Sequence, residues 1–237
     1  MSVRDLRPPP GFTVLNRVDL ILLCRSDMPA LQETACTPGD LGRPSTLSGR
    51  STLRIIEPDM VVRRLMHGGA LRHVTGWRFA SPGRSLRELE VSLHLASHGV
   101  PTPEILAVRI QRQGWFHRID VITRLVPDSA DLLTFLEAPR PDCGDIMLAA
   151  GALIRRMHDL GVYHADLHIK NILRDSGGGL WLLDLDKACR FEKVPGFMKR
   201  LNLRRFIHSA NKWNRRGRIH LCGDWSGRFM DGYHRAS

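Results

Sequence analysis

The chain has 237 residues, 43% of them hydrophobic, and a formal net charge of +11: enough for one larger domain or two small lobes with a real core. No apolar run approaches the roughly 20 residues of a membrane-spanning helix, and the N-terminus lacks the basic start and small-residue cleavage pattern of a secretory signal. The five cysteines (24, 36, 143, 189 and 222) form no C-x-x-C pair and are odd in number, which argues against a disulfide framework or a cysteine zinc site and for a reducing, cytoplasmic compartment.

Residues 1–48 carry PPPG, TPGD and GRPS around one apolar segment and predict a poorly structured or loosely docked leader. Two β-rich runs, 53–57 and 60–65, flank Pro58-Asp59 and predict a hairpin. Residues 85–98 have helical spacing, with Leu86, Leu89, Leu93 and Ala96 on one face. Ser85 and Glu88 fit a capping box, and Gly99, Pro101 and Pro103 stop the helix. Strands follow over 105–110 and 115–123, then a short helix over 130–137. A longer helix covers 145–160, with Gly161 as its stop. Short strands at 171–174 and 180–184 surround the loop 175–179, and the chain from Pro195 on is helix-like and basic. This order predicts an α+β fold of two lobes: a small β-rich lobe over 49–126 and a larger helical lobe over 127–237.

Two stretches concentrate polar groups in apolar frames: GVYHADLHIKNIL (161–173) and LWLLDLDKA (180–188). Asp166 precedes Asn171 by five positions, and Asp184 follows Asn171 by thirteen. Carboxylates and a carboxamide are oxygen ligands suited to a hard cation such as Mg²⁺. Phosphoryl transfer asks for positioning, metal charge and one group that accepts the proton of the attacking hydroxyl. An Asp held near the metals but free of them can do the last.

H-x-D-x-x-x-x-N followed by an apolar strand ending in Asp resembles the catalytic and metal-binding loops of the protein-kinase-like fold. The resemblance implies Asp166 as catalytic base, Asn171 as ligand of one Mg²⁺, Asp184 as the bridge between metal and ATP phosphates, and His164 as the residue that orients the loop. Departures from protein kinases are informative: Asp184 is followed by Leu185-Asp186, no Ala-Pro-Glu segment follows, Ala165 precedes Asp166, and His168 stands where Lys is usual. They point away from protein substrates.

YHADLHIKNILRD and LWLLDLDKACR are similar to the lipopolysaccharide kinase family, and within it to the kinases of 3-deoxy-D-manno-octulosonic acid (Kdo). VVRRLMHGGALRH (61–73), LRELEVSLHLASHGVPTPEILAV (86–108), WFHRIDVITRLVPDSADL (115–132) and KRLNLRRFIHSANK (199–212) agree in order, so the likeness covers roughly 49–235. It implies Arg63 on the third strand as the cation for the ATP phosphates, paired with Glu88. Arg64 and Glu90 are adjacent alternatives, since only one of each pair faces inward. Gly49 and Ser51 are candidates for a phosphate-cradling turn. Asp186 is read as a support for the metal or a partner for Lys187 or Arg190. His168 and Lys170 are candidates for touching an acidic sugar or for packing, Asp120 is expected to be a paired structural acid, and Trp213 and Trp225 core or membrane-facing anchors.

Residues 190–237 hold twelve Lys/Arg against three Asp/Glu, a balance that suits a polyanionic neighbour or a solvated helix face. The resemblance implies ATP-dependent, Mg²⁺-assisted phosphorylation of the 4-hydroxyl of Kdo on a lipid A precursor. It further implies a cytoplasmic protein, peripheral on the inner membrane, whose basic C-terminal region meets the anionic surface; no nucleic acid is expected. A heptose kinase, an antibiotic phosphotransferase, an atypical protein kinase and a basic non-enzymatic binder are the alternatives.

Overall fold

The computed structural model describes residues 7–45, 53–66 and 76–235. The chain divides into two compact units: Met1–Glu90 with Glu104–Leu125, and Val91–Pro103 with Val126–Ser237.

The first unit is built on a seven-stranded antiparallel sheet. Its strands are β1 (Phe12–Arg17), β2 (Leu20–Arg25), β3 (Arg43–Pro44), β4 (Leu53–Ile56), β5 (Met60–Arg64), β6 (Ile105–Gln113) and β7 (Phe116–Arg124), in the order β1-β2-β6-β7-β5-β4-β3. β6 is apolar from Ile105 to Val108 without alternation because it is interior to the sheet and buried on both faces. Helix α1 (Pro29–Cys36) packs Leu31 and Ala35 onto Leu22, Cys24, Val62, Leu106 and Ile122.

The expected loose leader is therefore wrong for residues 12–44. β2 pairs with β6 from Leu20↔Gln111 to Cys24↔Ala107, and the segment after α1 is held by side chains from four later strands. Arg109 donates to the carbonyls of Gly39 (2.9 Å) and Thr37 (2.5 Å), and Arg54 to those of Leu41 (2.7 Å) and Gly42 (2.6 Å). Arg64 and Arg118 both bind the Asp40 carboxylate, which lowers its pKa to about 2. A polar segment poor in apolar periodicity is ordered here by charge-assisted hydrogen bonds.

Helix α2 (Gly83–Ser97) starts two residues before the expected Ser85 cap. The Ser85 hydroxyl instead donates to the Pro82 carbonyl at 2.8 Å. The buried stripe of α2 runs through Glu88, Leu89, Val91 and Leu95, and Ala96 is exposed.

The second unit packs helices α4 (Cys143–Asp159), α5 (Gly196–Arg215) and α6 (Trp225–Arg235) around one apolar core. Its short strands are β8 (Ala130–Asp131), β9 (Val162–His164), β10 (Ile172–Arg174), β11 (Leu180–Leu182) and β12 (Ala188–Arg190), in ladders β11-β10-β8 and β12-β9. The expected helix at 130–137 is shorter: Ala130-Asp131 joins β10, and the Asp131 carboxylate then caps α3 (Leu132–Phe135) by accepting the Thr134 N–H at 2.9 Å. α4 and α6 touch backbone to backbone. A Cβ at Gly151 would lie 2.0 Å from the Phe229 carbonyl oxygen, and one at Gly232 1.9 Å from that of Leu148, so each helix needs glycine where they cross. Trp225 is in this core, as one of its two expected readings has it.

Candidate active site

In the second unit, β9 delivers the chain to the loop bearing Asp166. His164, its last residue, is fully buried. Its Nε2 lies 2.9 Å from the Leu183 carbonyl oxygen, and its Nδ1 lies 3.3 Å from the backbone N of Asp166. These partners assign the proton to Nε2 and leave Nδ1 as acceptor. Burial pushes the imidazole pKa down, so a neutral His164 ties the loop of Asp166 to the residue before Asp184. A short 3₁₀ turn (Ile169–Asn171) brings Asn171 back beneath Asp166, whose carbonyl accepts from Asn171 Nδ2 at 2.9 Å. That contact fixes the carboxamide with its oxygen as the remaining polar atom.

The second acidic stretch departs from the extended geometry considered for it. β11 stops at Leu182; Asp184 has a left-handed backbone (φ 57°, ψ 55°), which Asp tolerates better than most residues, and Leu185–Lys187 form a 3₁₀ turn. Asp184 and Asp186 therefore do not alternate along a strand. Asp186 is buried. Lys187, at the end of the turn, reaches Asp166 with Nζ 3.3 Å from Oδ2; the sequence offers Lys187 only as a partner for Asp186. Lys170 lies with its Nζ over the ring of Trp213, 5.1 Å from the centroid, which favours packing for both.

The loop is held from below by a buried polar chain with no sequence signal. Asn202 of α5 donates Nδ2 to the His164 carbonyl (2.8 Å) and accepts the His164 N–H on Oδ1 (3.3 Å). The same oxygen accepts from His158 Nε2 at 3.0 Å, and His158 Nδ1 accepts from the Tyr233 hydroxyl at 2.8 Å. Burial drives the His158 pKa down to about 4, against the Asn202 hydrogen bond that raises it. The unfolded chain then binds more protons than the folded one between about pH 6.5 and 4, so stability is full above that window and falls as pH drops through it. The loss attributable to His158 is about 3 kcal/mol by pH 4. Urea midpoints measured from pH 7.5 to 4.5 should decline, and His158→Gln should flatten the decline; parallel curves for the two proteins would refute the assignment.

In the first unit, strand register separates Arg63 from Arg64. Arg63 lies opposite Val121 and Arg64 opposite Asp120 on β7, so the two side chains leave opposite faces of the sheet. Arg63 forms an ion pair with Glu88 of α2, whereas Arg64 binds Asp120 and Asp40 and Glu90 is exposed. Asp120 is the expected structural acid: Arg64, Arg109 and Arg118 surround it at 2.9, 3.4 and 3.5 Å. Gly49 and Ser51 lie outside the described residues.

Residues 46–233 match the lipopolysaccharide kinase (Kdo/WaaP) family. The chain belongs to that family. Similar curated proteins include a 3-deoxy-D-manno-octulosonic acid kinase of Vibrio cholerae serotype O1, 35% identical over 139 residues, 58% of this chain and 56% of the relative. Another, from Vibrio parahaemolyticus serotype O3:K6, is 32% identical over 181 residues, 73% of this chain and 74% of the relative. A third, from Photobacterium damsela subsp. piscicida, is 32% identical over 152 residues, 61% of this chain and 63% of the relative. The matched stretches thus span from just over half to three quarters of these relatives' lengths. Family membership accounts for the kinase-like build of a β-rich first unit and a helical second unit.

Proposed function

We propose that the chain transfers the γ-phosphate of ATP to the 4-hydroxyl of a Kdo residue on a lipid A precursor, a step of lipopolysaccharide inner-core assembly. The observation that carries the reading is the mounting of Asp166. Its backbone N–H is tied to a buried neutral His164 and its carbonyl to Asn171, while its carboxylate is partly open and faces Lys187. A carboxylate so placed can accept a sugar hydroxyl's proton as the oxygen attacks phosphorus. Lys187 would hold that carboxylate in position and meet the charge on the moving phosphoryl group. Arg63, aimed by Glu88, would grip the α/β phosphates bidentately. Gly49 and Ser51 remain candidates for the turn over them.

The donor set fits Mg²⁺: the Asn171 carboxamide oxygen and the Asp184 carboxylate are hard oxygen ligands. Among the described residues no cluster of three or more His, Cys, Asp or Glu side chains forms a metal site. Mg²⁺ at a nucleotide takes one or two protein ligands and completes its shell with phosphate and water. When bound, it would supply positive charge against the triphosphate.

No helix among the described residues is long and apolar enough to cross a membrane. The basic C-terminal region suits peripheral attachment to the anionic cytoplasmic face of the inner membrane, where the acceptor would be presented. α5 alone carries Lys199, Arg200, Arg204, Arg205, Lys212 and Arg215.

The reading is tested by incubating the purified protein with ATP, Mg²⁺ and Kdo-lipid A precursor and locating the new phosphate by ³¹P–¹H NMR. A single phosphate correlated to H4 of Kdo is expected, abolished by EDTA. Phosphate at another Kdo position, or on heptose only, would move the assignment to a sister activity of the family.

A further inference from the structure

The described residues expose five large hydrophobic side chains, and three of them share one place in the fold. Strands β2 and β6 pair side by side with Leu20 opposite Gln111, so the turn of the β1–β2 hairpin and that of the β6–β7 hairpin emerge at the same end of the sheet. The Arg112 N–H donates to the Asp19 carbonyl at 2.8 Å and locks the two turns together. On them Trp115 is 93% exposed, Val18 88% and Phe116 43%. A groove between the turns is lined by Arg17, Val18, Asp19, Arg112, Trp115 and His117 among others, with two arginines against one aspartate.

Folding contributes nothing to keeping a Trp, a Phe and a Val at adjoining hairpin tips, and a protruding apolar patch of this kind marks an interaction site. We infer that the paired tips dock into the surface of an anionic phospholipid bilayer. Trp115, Phe116 and Val18 enter the boundary between headgroups and acyl chains, the depth at which Trp is favoured. Arg17 and Arg112 lay their alkyl stems along that apolar surface and carry their guanidinium groups to the lipid phosphates. Charge complementarity selects the occupant: exposed apolar side chains at hairpin tips, with two arginines against one aspartate beside them, fit a negatively charged bilayer. The purpose rests on the proposed lipid-borne acceptor; the geometry does not. This contact lies in the first unit and is independent of the basic α5.

The test uses the full chain and vesicles of phosphatidylethanolamine and phosphatidylglycerol, 3:1, with pure phosphatidylcholine as the uncharged control. Wild-type protein should float with the anionic vesicles, and brominated lipids should quench a Trp signal that Trp115→Phe removes. Val18→Ser with Trp115→Ser should weaken flotation by at least about tenfold. Phosphate transfer to a Kdo acceptor without fatty acyl chains should be unchanged, which separates failure of the docking surface from failure of the kinase reading. Vesicle binding that the double variant leaves intact, absence of quenching, or no wild-type flotation would overturn the proposal. Capture of a protein by the tips without vesicle binding would overturn it too.

Discussion

Asp166→Asn is expected to lower the rate of phosphate transfer by about 10²- to 10⁴-fold, the range over which a positioned general base acts, while leaving the fold and the KM for ATP near wild type. The substitution keeps the shape of the side chain and removes its capacity to take a proton. The contacts that hold the loop are backbone contacts: the Asp166 N–H to His164, its carbonyl to Asn171, and the His164 peptide groups to Asn202. None uses the carboxylate, so the loss should fall on kcat. What does use it is Lys187. A partly exposed pair of that kind contributes little stability, and the unfolding midpoint should move by less than about 1 kcal/mol in equivalent free energy. A variant with kcat within tenfold of wild type would remove Asp166 from the role of base.

The largest expected loss of stability comes from Asp120→Ala. Asp120 on β7 sits in cross-strand register with Arg64 on one side and Arg109 on the other, and it is almost fully buried. Arg109 is wholly buried, and burial pulls its pKa down while the Asp120 charge opposes that pull. Truncating the acid leaves the Arg109 guanidinium with the Gly39 and Thr37 carbonyls but without its counter-charge. Breaking a buried pair from one side costs about 3–5 kcal/mol. The damage should spread to the segment after α1, because Arg64 and Arg109 are also the clamps on residues 37–40. Urea unfolding monitored by circular dichroism, with hydrogen exchange over residues 37–42, checks both parts. A loss below about 1 kcal/mol would mean that the arginines are solvated well enough not to need Asp120.

The contrast between these two residues follows what the sequence makes visible. The loop of Asp166 and Asn171 is legible because its spacing is local, and the hairpin at 53–64 and the helix near 85–98 because their periodicity is local. Arg63 and Arg64 are adjacent and chemically alike; only the strand register separates the one that faces Glu88 from the one that faces Asp120. Residues 37–44 look unstructured because what orders them comes from Arg54, Arg64, Arg109 and Arg118, up to about 80 positions away. Asn202, His158 and Tyr233 are likewise unremarkable in sequence. They form a polar chain only when α4, α5 and α6 pack, which in turn needs the glycines at 151 and 232. Asp184 reads as the end of a strand because DLD alternates, yet its left-handed backbone turns the chain so that Lys187 returns toward Asp166.

The most direct test of the proposed phosphate transfer is incorporation of labelled γ-phosphate from ATP into a Kdo-bearing lipid A precursor by purified wild-type protein, with Asp166→Asn and Asp184→Ala run alongside as folded controls. Mg²⁺-dependent incorporation into the Kdo acceptor by wild type and near-background incorporation by both variants are expected. Incorporation that persists in the variants, or a wild-type protein that labels no Kdo acceptor while remaining folded, would contradict it.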